Sequence, residues 1–167
     1  MKRIIVDVMG GDRSPAEAIK GAYLASLEAD IDIIFVGDAQ QIECIAKENN
    51  ISLDGFEIVH SGSVIEMTDD PMCVTRSKSD SSMSTGLSLL AEGKGDAFVS
   101  SGNTGALFTG ANLMVRKIKG LRRPAIAAML PMQPPVIRKP SWKASAQSCS
   151  RTLTLTPWTW WITTMPP

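Results

Sequence analysis

The chain has 167 residues, and its 17 Lys and Arg balance its 17 Asp and Glu; at this length one domain with a modest core is expected, and a body that is mildly acidic over residues 1–131 gives no electrostatic reason to bind nucleic acid. Three unevenly spaced cysteines without a C-x-x-C pair exclude a disulfide framework or a zinc site. No apolar run approaches the ~18 residues of a membrane span, and Ile4-Ile5-Val6 stops at Asp7, too short for a signal peptide, so a cytoplasmic protein is expected.

Arg3–Val8 is a short β-branched run, as a buried parallel strand requires. Gly10-Gly11-Asp12 breaks it. Ser14 can cap the next helix, with Pro15 at its first position and Glu17 completing a capping box. That helix is predicted to reach about Leu27, with Ala18, Ala22, Leu24 and Ala25 as its packing face. A strand over Asp32–Val36 leads through Gly37 to a helix from Ala39 to about Asn49, capped by Asp38.

Phe56–His60 is a third strand and Ser61–Asp70 a loop. A helical stretch follows Pro71 and ends near Ser77–Ser82. Met83–Glu92 is a helix with Leu87, Leu89 and Leu90 inward, stopped by Gly93-Lys94-Gly95. Ala97–Ser100 is a strand, Gly102–Gly105 a turn, Ala106–Ile118 a long apolar helix and Ala125–Leu130 a last strand. Strands alternating with helices imply βαβ units and a parallel sheet. Ligands of such sheets sit beyond the carboxyl ends of the strands, which selects the loops Met9–Arg13, Ser61–Ser63 and Ser101–Gly105.

The composition changes at Pro131. All 13 glycines and all 17 acidic residues precede it, giving residues 1–131 a net charge of −4. Residues 132–167 hold all four tryptophans, six of the ten prolines and four basic residues, Arg138, Lys139, Lys143 and Arg151. Their alternation over 151–161 is strand-like, yet a proline interrupts it and no turn glycine follows. DNA that encodes Arg151–Thr163, shifted by two nucleotides, can read Asn-Val-Asp-Ala-Asp-Pro-Val-Asp-Leu-Val-Asp-Tyr, acidic like the first 131 residues. The expected division is therefore an α/β body over 1–131 and an aberrant, frameshifted and poorly ordered tail over 132–167.

Three groups of residues carry candidate chemistry. Ser100-Ser101-Gly102-Asn103-Thr104-Gly105 joins a strand to a helix; its glycines admit a close ligand and the helix start favours an anion. The same residues also suit an ordinary tight connection capped by Asn103 or Thr104. Gly10-Gly11-Asp12 is a second glycine turn, in which Asp12 can orient a ligand group or simply bond its own backbone. In the third group, Arg76 and Lys78 can attract an anion, while Ser81 and Ser82 can cap the next helix or meet a phosphate. Asp7 needs a partner if buried. His60, the only histidine, ends a strand where acid–base work is conceivable, but neither a G-x-S-x-G elbow nor a metal-ligand cluster accompanies it. Met9, Met67, Met72 and Met83 read as core and loop filler.

Together these segments resemble a known family. D-V-M-G-G-D at Asp7–Asp12, V-I-E-M-T-D-D-P at Val64–Pro71, K-S-D-S-S-M at Lys78–Met83, A-F-V-S-S-G-N-T-G-A-L at Ala97–Leu107 and R-R-P-A-I-A at Arg122–Ala127 are similar, in the same order, to the bacterial acyl-acyl-carrier-protein:phosphate acyltransferases of phospholipid synthesis. Arg13 stands where that family commonly has His. The resemblance implies a doubly wound α/β sheet similar to isocitrate- and isopropylmalate-type dehydrogenases and phosphotransacetylases, here truncated.

It also implies transfer of a fatty acyl group from acyl-acyl-carrier protein to inorganic phosphate, giving an acyl phosphate for a membrane glycerol-3-phosphate acyltransferase. A homodimer, a cytoplasmic location with peripheral association at the membrane, and no metal, cofactor or nucleic acid follow from the same likeness. In this reading Asp12 and Lys78 are the expected catalytic groups. Gly10, Gly11, Ser81, Ser82, Gly102, Asn103, Thr104 and Gly105 hold phosphate or substrate. The alternatives are an inactive truncated product and a small phosphate- or nucleotide-binding module.

The nucleotide sequence around codon 131, read in all frames, checks the proposed shift: an open frame continuing into acidic, family-like sequence is expected, and its absence would make the tail a genuine appendage.

Overall fold

The computed structural model describes residues 2–115 and 125–126. Strand β2 (Ile31–Gly37) explains the architecture. Its Ile33 and Phe35 are buried on one face and its Ile34 and Val36 on the other; a strand buried on both faces belongs inside a parallel sheet covered by helices. Beside it lie β1 (Lys2–Asp7) and β3 (Glu57–His60), and β4 (Ala97–Val99) adds to the far side of β1. All pairings are parallel, in the order β3-β2-β1-β4, with Ile4 opposite Ile33 in β2 and Ala97 in β4.

Helices cover both faces. Ile19 and Ala22 of α1 (Ala16–Glu28) and Ile42 of α2 (Ala39–Glu48) pack with Val8, Ile33 and Phe35. Met83, Leu87 and Leu90 of α3 (Ser82–Ala91) and Ala106 and Leu107 of α4 (Thr104–Gly110) pack with Ile5, Ile34, Val36 and Phe98. This is a doubly wound α/β sheet.

The first four predicted strands stand within two residues of their places, and Asp38 caps α2 by accepting from the Gln40 amide at 3.0 Å. Four local expectations change. The capping box at Ser14 does not form: Ser14 donates to the Gly10 carbonyl, Pro15 takes the cap position and no side chain caps α1. The packing face of α1 is Ile19 and Ala22, with the expected Ala18 partly buried beside them. Leu24 and Leu27 lie five residues on from these two, about 140° around the helix, and are 58% and 67% exposed; Ala25 is exposed too. After Pro71 the chain makes a 3₁₀ turn, Pro71–Thr75, capped by Asp70. The long helix begins at Thr104 and widens to a π-turn over Ala111–Val115; its predicted continuation to Ile118 lies outside the described residues. So does the predicted strand from residue 127 on, its first two residues Ala125 and Ile126 being irregular and exposed, and so does the whole of 132–167.

Candidate functional site

Strands β1 and β4 are neighbours, but the chain leaves them for helices on opposite faces, α1 and α4. The strand order reverses here, and in open α/β sheets ligands bind beyond the carboxyl ends of the strands at such a reversal. Two of the three loops expected at a ligand meet at this point, residues 8–14 and 100–104. The third, Ser61–Ser63, follows edge strand β3 and bends to α3: the Ser82 amide donates to the Ser63 carbonyl at 3.1 Å, and Ser63 Oγ to Asp80 Oδ1 at 2.7 Å.

A buried acid joins the two loops. Asp7 is 2% exposed. Its Oδ1 accepts from the amides of Met9 and Gly10 at 3.1 and 3.2 Å, and its Oδ2 accepts from Ser100 Oγ at 2.7 Å. Ser100 Oγ in turn accepts from the Gly102 amide at 3.1 Å, and Ser101 Oγ donates to the Gly10 carbonyl at 2.6 Å. The loops touch backbone to backbone. A Cβ on Gly10 would lie 2.9 Å from the Gly102 nitrogen and 2.8 Å from Asp7 Oδ2, and Gly11, at φ +105°, would set one 2.5 Å from Ser101 Oγ. Gly10, Gly11 and Gly102 thus let two loops close on each other, and the Gly10 and Gly102 amides are already bonded within the protein.

Asn103 is also engaged. Its Oδ1 caps α4 by accepting from Ala106 at 3.0 Å, and its Nδ2 fans onto the carbonyls of Glu66, Met67 and Asp69 at 3.1, 3.3 and 3.2 Å. Lys78 fastens the same loop: Nζ donates to the Val64 carbonyl at 2.8 Å and to Asp69 Oδ2 at 2.5 Å. That hydrogen bond, then the bond from the Glu66 amide, holds the Asp69 carboxyl below its ordinary range, and the same bond raises Lys78. Ser81 and Ser82 are buried; Ser81 Oγ caps α3 by accepting from Ser84 at 3.3 Å.

Among the described residues the amides of Gly11, Asp12, Ser101, Asn103, Thr104 and Gly105 have no acceptor, and Thr104 is exposed. Asp12 is exposed at the tip of the first loop, makes no hydrogen bond there, and Arg13 follows it, also exposed. His60 lies two strands away, its Nδ1 accepting from the Ala39 amide at 3.4 Å, outside this group. No cluster of three His, Cys, Asp or Glu stands ready for a metal among the described residues, and none of their helices is long and apolar enough to cross a membrane. Of the methionines, Met83 is core, whereas Met67 and Met72 are exposed on the clamped loop and the 3₁₀ turn.

Known proteins are similar to this chain in sequence. The model of the family described as "Fatty acid synthesis protein" matches residues 2–137. This chain belongs to that family. A phosphate acyltransferase of Thermotoga neapolitana is 49% identical over 129 residues, 77% of this chain and 36% of the relative. Those of Thermoanaerobacterium thermosaccharolyticum and Clostridioides difficile are 43% and 41% identical over the same share of this chain and 38% of their own. The chain spans little more than a third of the length of these curated relatives.

Two predictions test the clamp. Asn103→Ala should lower stability to denaturant by about 2 kcal/mol, from the lost cap and from carbonyls left without a donor. Asn103→Asp keeps the cap acceptor but sets a carboxylate against three carbonyls, so it should be no better; a variant as stable as the parent would remove the clamp.

The Asp69–Lys78 pair has a defined pH window. Asp69 titrates low, so its contribution is full above the ordinary carboxylate value and is lost as pH falls through the lowered one. Lys78 titrates high, so its contribution holds below the ordinary lysine value and is lost as pH rises through the raised one. Lys78→Met should move the Asp69 titration upward in a carboxyl NMR series; an unmoved curve would assign the whole effect to the Glu66 amide.

Proposed function

We propose that residues 1–131 are the N-terminal part of an acyltransferase that moves a fatty acyl group from acyl-acyl-carrier protein to inorganic phosphate. The observation that carries this reading is the meeting of the Asp7–Asp12 and Ser100–Gly105 loops at the β1/β4 reversal, in a chain whose relatives bear the name phosphate acyltransferase.

The chemistry suits such a site. A phosphate oxygen attacks the thioester carbonyl, the carbon–sulfur bond breaks, and the carrier-protein thiolate leaves. No enzyme nucleophile and no redox step is involved. The protein's tasks are to hold the phosphate in line and to meet the tetrahedral oxyanion with fixed donors. Thr104 and Gly105 donate to the phosphate, Asp12 orients the attacking group, and Lys78 and Asn103 fix the 64–69 loop beside them. The glycines Gly10, Gly11 and Gly102 and the caps Ser81 and Ser82 shape the site from behind. The acyl phosphate would feed a membrane glycerol-3-phosphate acyltransferase, from a cytoplasmic homodimer associated peripherally with the membrane.

A second reading, that the 167-residue chain by itself is an inactive fragment, is favoured by the 36% to 38% of the relatives that it spans.

One experiment addresses both. A chimera joining residues 2–131 of this chain to the remainder of the Thermotoga neapolitana relative should form acyl phosphate from acyl-acyl-carrier protein and phosphate, and the 167-residue chain should not. A folded but inactive chimera, beside an active parent, would sink the first reading; turnover by the chain alone would sink the second.

A further inference from the structure

We propose that the start of α3, together with Ser61 from the end of β3, is a seat for a small free oxyanion. The proposal goes beyond the functional reading above, whose phosphate is set at the start of α4, and does not rest on it.

Ser61 is the residue that points to a ligand. It is 7% exposed, and its Oγ has no hydrogen-bond partner among the described residues. A buried hydroxyl left unpaired costs folding free energy, so a partner from outside the chain is favoured. The alternation along β3 sets its direction. Ile58 packs with the α1 and α2 side of the core, and His60 Nδ1 accepts from the Ala39 amide at the start of α2, whereas Val59 packs with the α3 side. Ser61 stands two residues beyond Val59 and turns to the α3 side. Backbone bonds stitch its segment to the approach to α3: the Gly62 amide donates to the Asp80 carbonyl at 3.2 Å, and the Ser82 amide to the Ser63 carbonyl at 3.1 Å.

The start of α3 has donors to offer. Ser82 and Ser84 are 1% and 3% exposed, and neither hydroxyl makes a hydrogen bond among the described residues. The Ser82 amide goes to Ser63, the Ser84 amide to Ser81 Oγ at 3.3 Å and the Thr85 amide to the Ser81 carbonyl at 2.8 Å, which leaves the Met83 amide without an acceptor. These hydroxyls and this amide lie at the positive end of a ten-residue helix whose first turn holds no acidic residue. Asp80, just before the cap, is exposed and accepts from Ser63 Oγ at 2.7 Å. Met83 Cε would be 3.2 Å from a Cβ on Gly102, so this helix begins beside the switch-point loops. Donors without a carboxylate among them suit an anion. The burial of Ser61, Ser82 and Ser84 suits a free ion rather than one carried on a longer molecule.

The test uses the full chain, with inorganic phosphate as the probe and phenyl phosphate as a second arm. Phosphate should raise the melting temperature of the parent and shift its Met83 amide in NMR. Without phosphate, Ser61→Ala should melt no lower than the parent, because the hydroxyl it removes has no partner. Its phosphate affinity should nevertheless fall at least about tenfold, the worth of one hydrogen bond to a charged group. Ser82→Ala should lose affinity in the same way, and phenyl phosphate should leave the Met83 amide where it was.

An unmoved Met83 amide in phosphate would overturn the seat. So would parent-like affinity in Ser61→Ala, which would put the bound ion elsewhere on the chain. A Ser61→Ala that melts clearly lower without phosphate would show the hydroxyl to be partnered inside the protein and would overturn it too. A shift with phenyl phosphate as large as that with phosphate would overturn the assignment to a free ion. Turnover by the chimera tests the functional reading separately, so either can fail alone.

Discussion

A carboxylate at the end of a hydrophobic strand has to find donors before the strand can be buried, and Asp7 finds them on both sides of the strand reversal. Much else follows from that placement. The Met9 and Gly10 amides turn inward, which bends the chain away from β1. Ser100 must be a hydroxyl and must directly follow β4. The Gly10 and Gly102 backbones then come so close that a Cβ on Gly10 would be 2.9 Å from the Gly102 nitrogen. One desolvated acid thus couples the first strand to the fourth at the edge where a parallel sheet binds its ligands.

A second layer rests on this one. Once Gly102 is fixed, Asn103 is presented to both the start of α4 and the 66–69 loop, and one amide side chain serves both. Lys78 reaches the same loop from the approach to α3 through Asp69 and Val64. The loop is held by side chains where no strand or helix holds it. Its Met67 stays exposed beside the crevice because the contacts that order this loop are made by its backbone and by Asp69 rather than by burial of apolar groups.

The strands were legible because β-branched runs such as Ile31–Val36 have few other solutions, and the Asp38 cap because its partner is two residues away. The order of the alternating elements was enough to select the loops that meet at the crevice. What was not legible is non-local. Ser14 looks like a cap, yet Gly10 O competes for its hydroxyl and is set by the loop contact. The face of α1 was placed only in part, with Ala18 and Ala22 right but Leu24 and Ala25 exposed, because an alanine-rich helix carries no sharp apolar stripe, so Ile19 was overlooked beside Leu24. Lys78 reads as a free cation until the loop brings Asp69 to it. Residue spacing does not separate a glycine that faces a ligand from one that faces another loop.

That last distinction alters the meaning of the run from Ser100 to Gly105. Its first four residues are used for closure: Ser100 binds the Asp7 carboxylate, Ser101 binds the Gly10 carbonyl, Gly102 permits the approach and Asn103 clamps α4 to the 66–69 loop. Among the described residues the amides of Ser101, Asn103, Thr104 and Gly105 have no acceptor. A motif that looks like a ligand cradle is therefore mostly the scaffold of one. The serines at 100 and 101 are not interchangeable, since one meets a charge and the other a carbonyl.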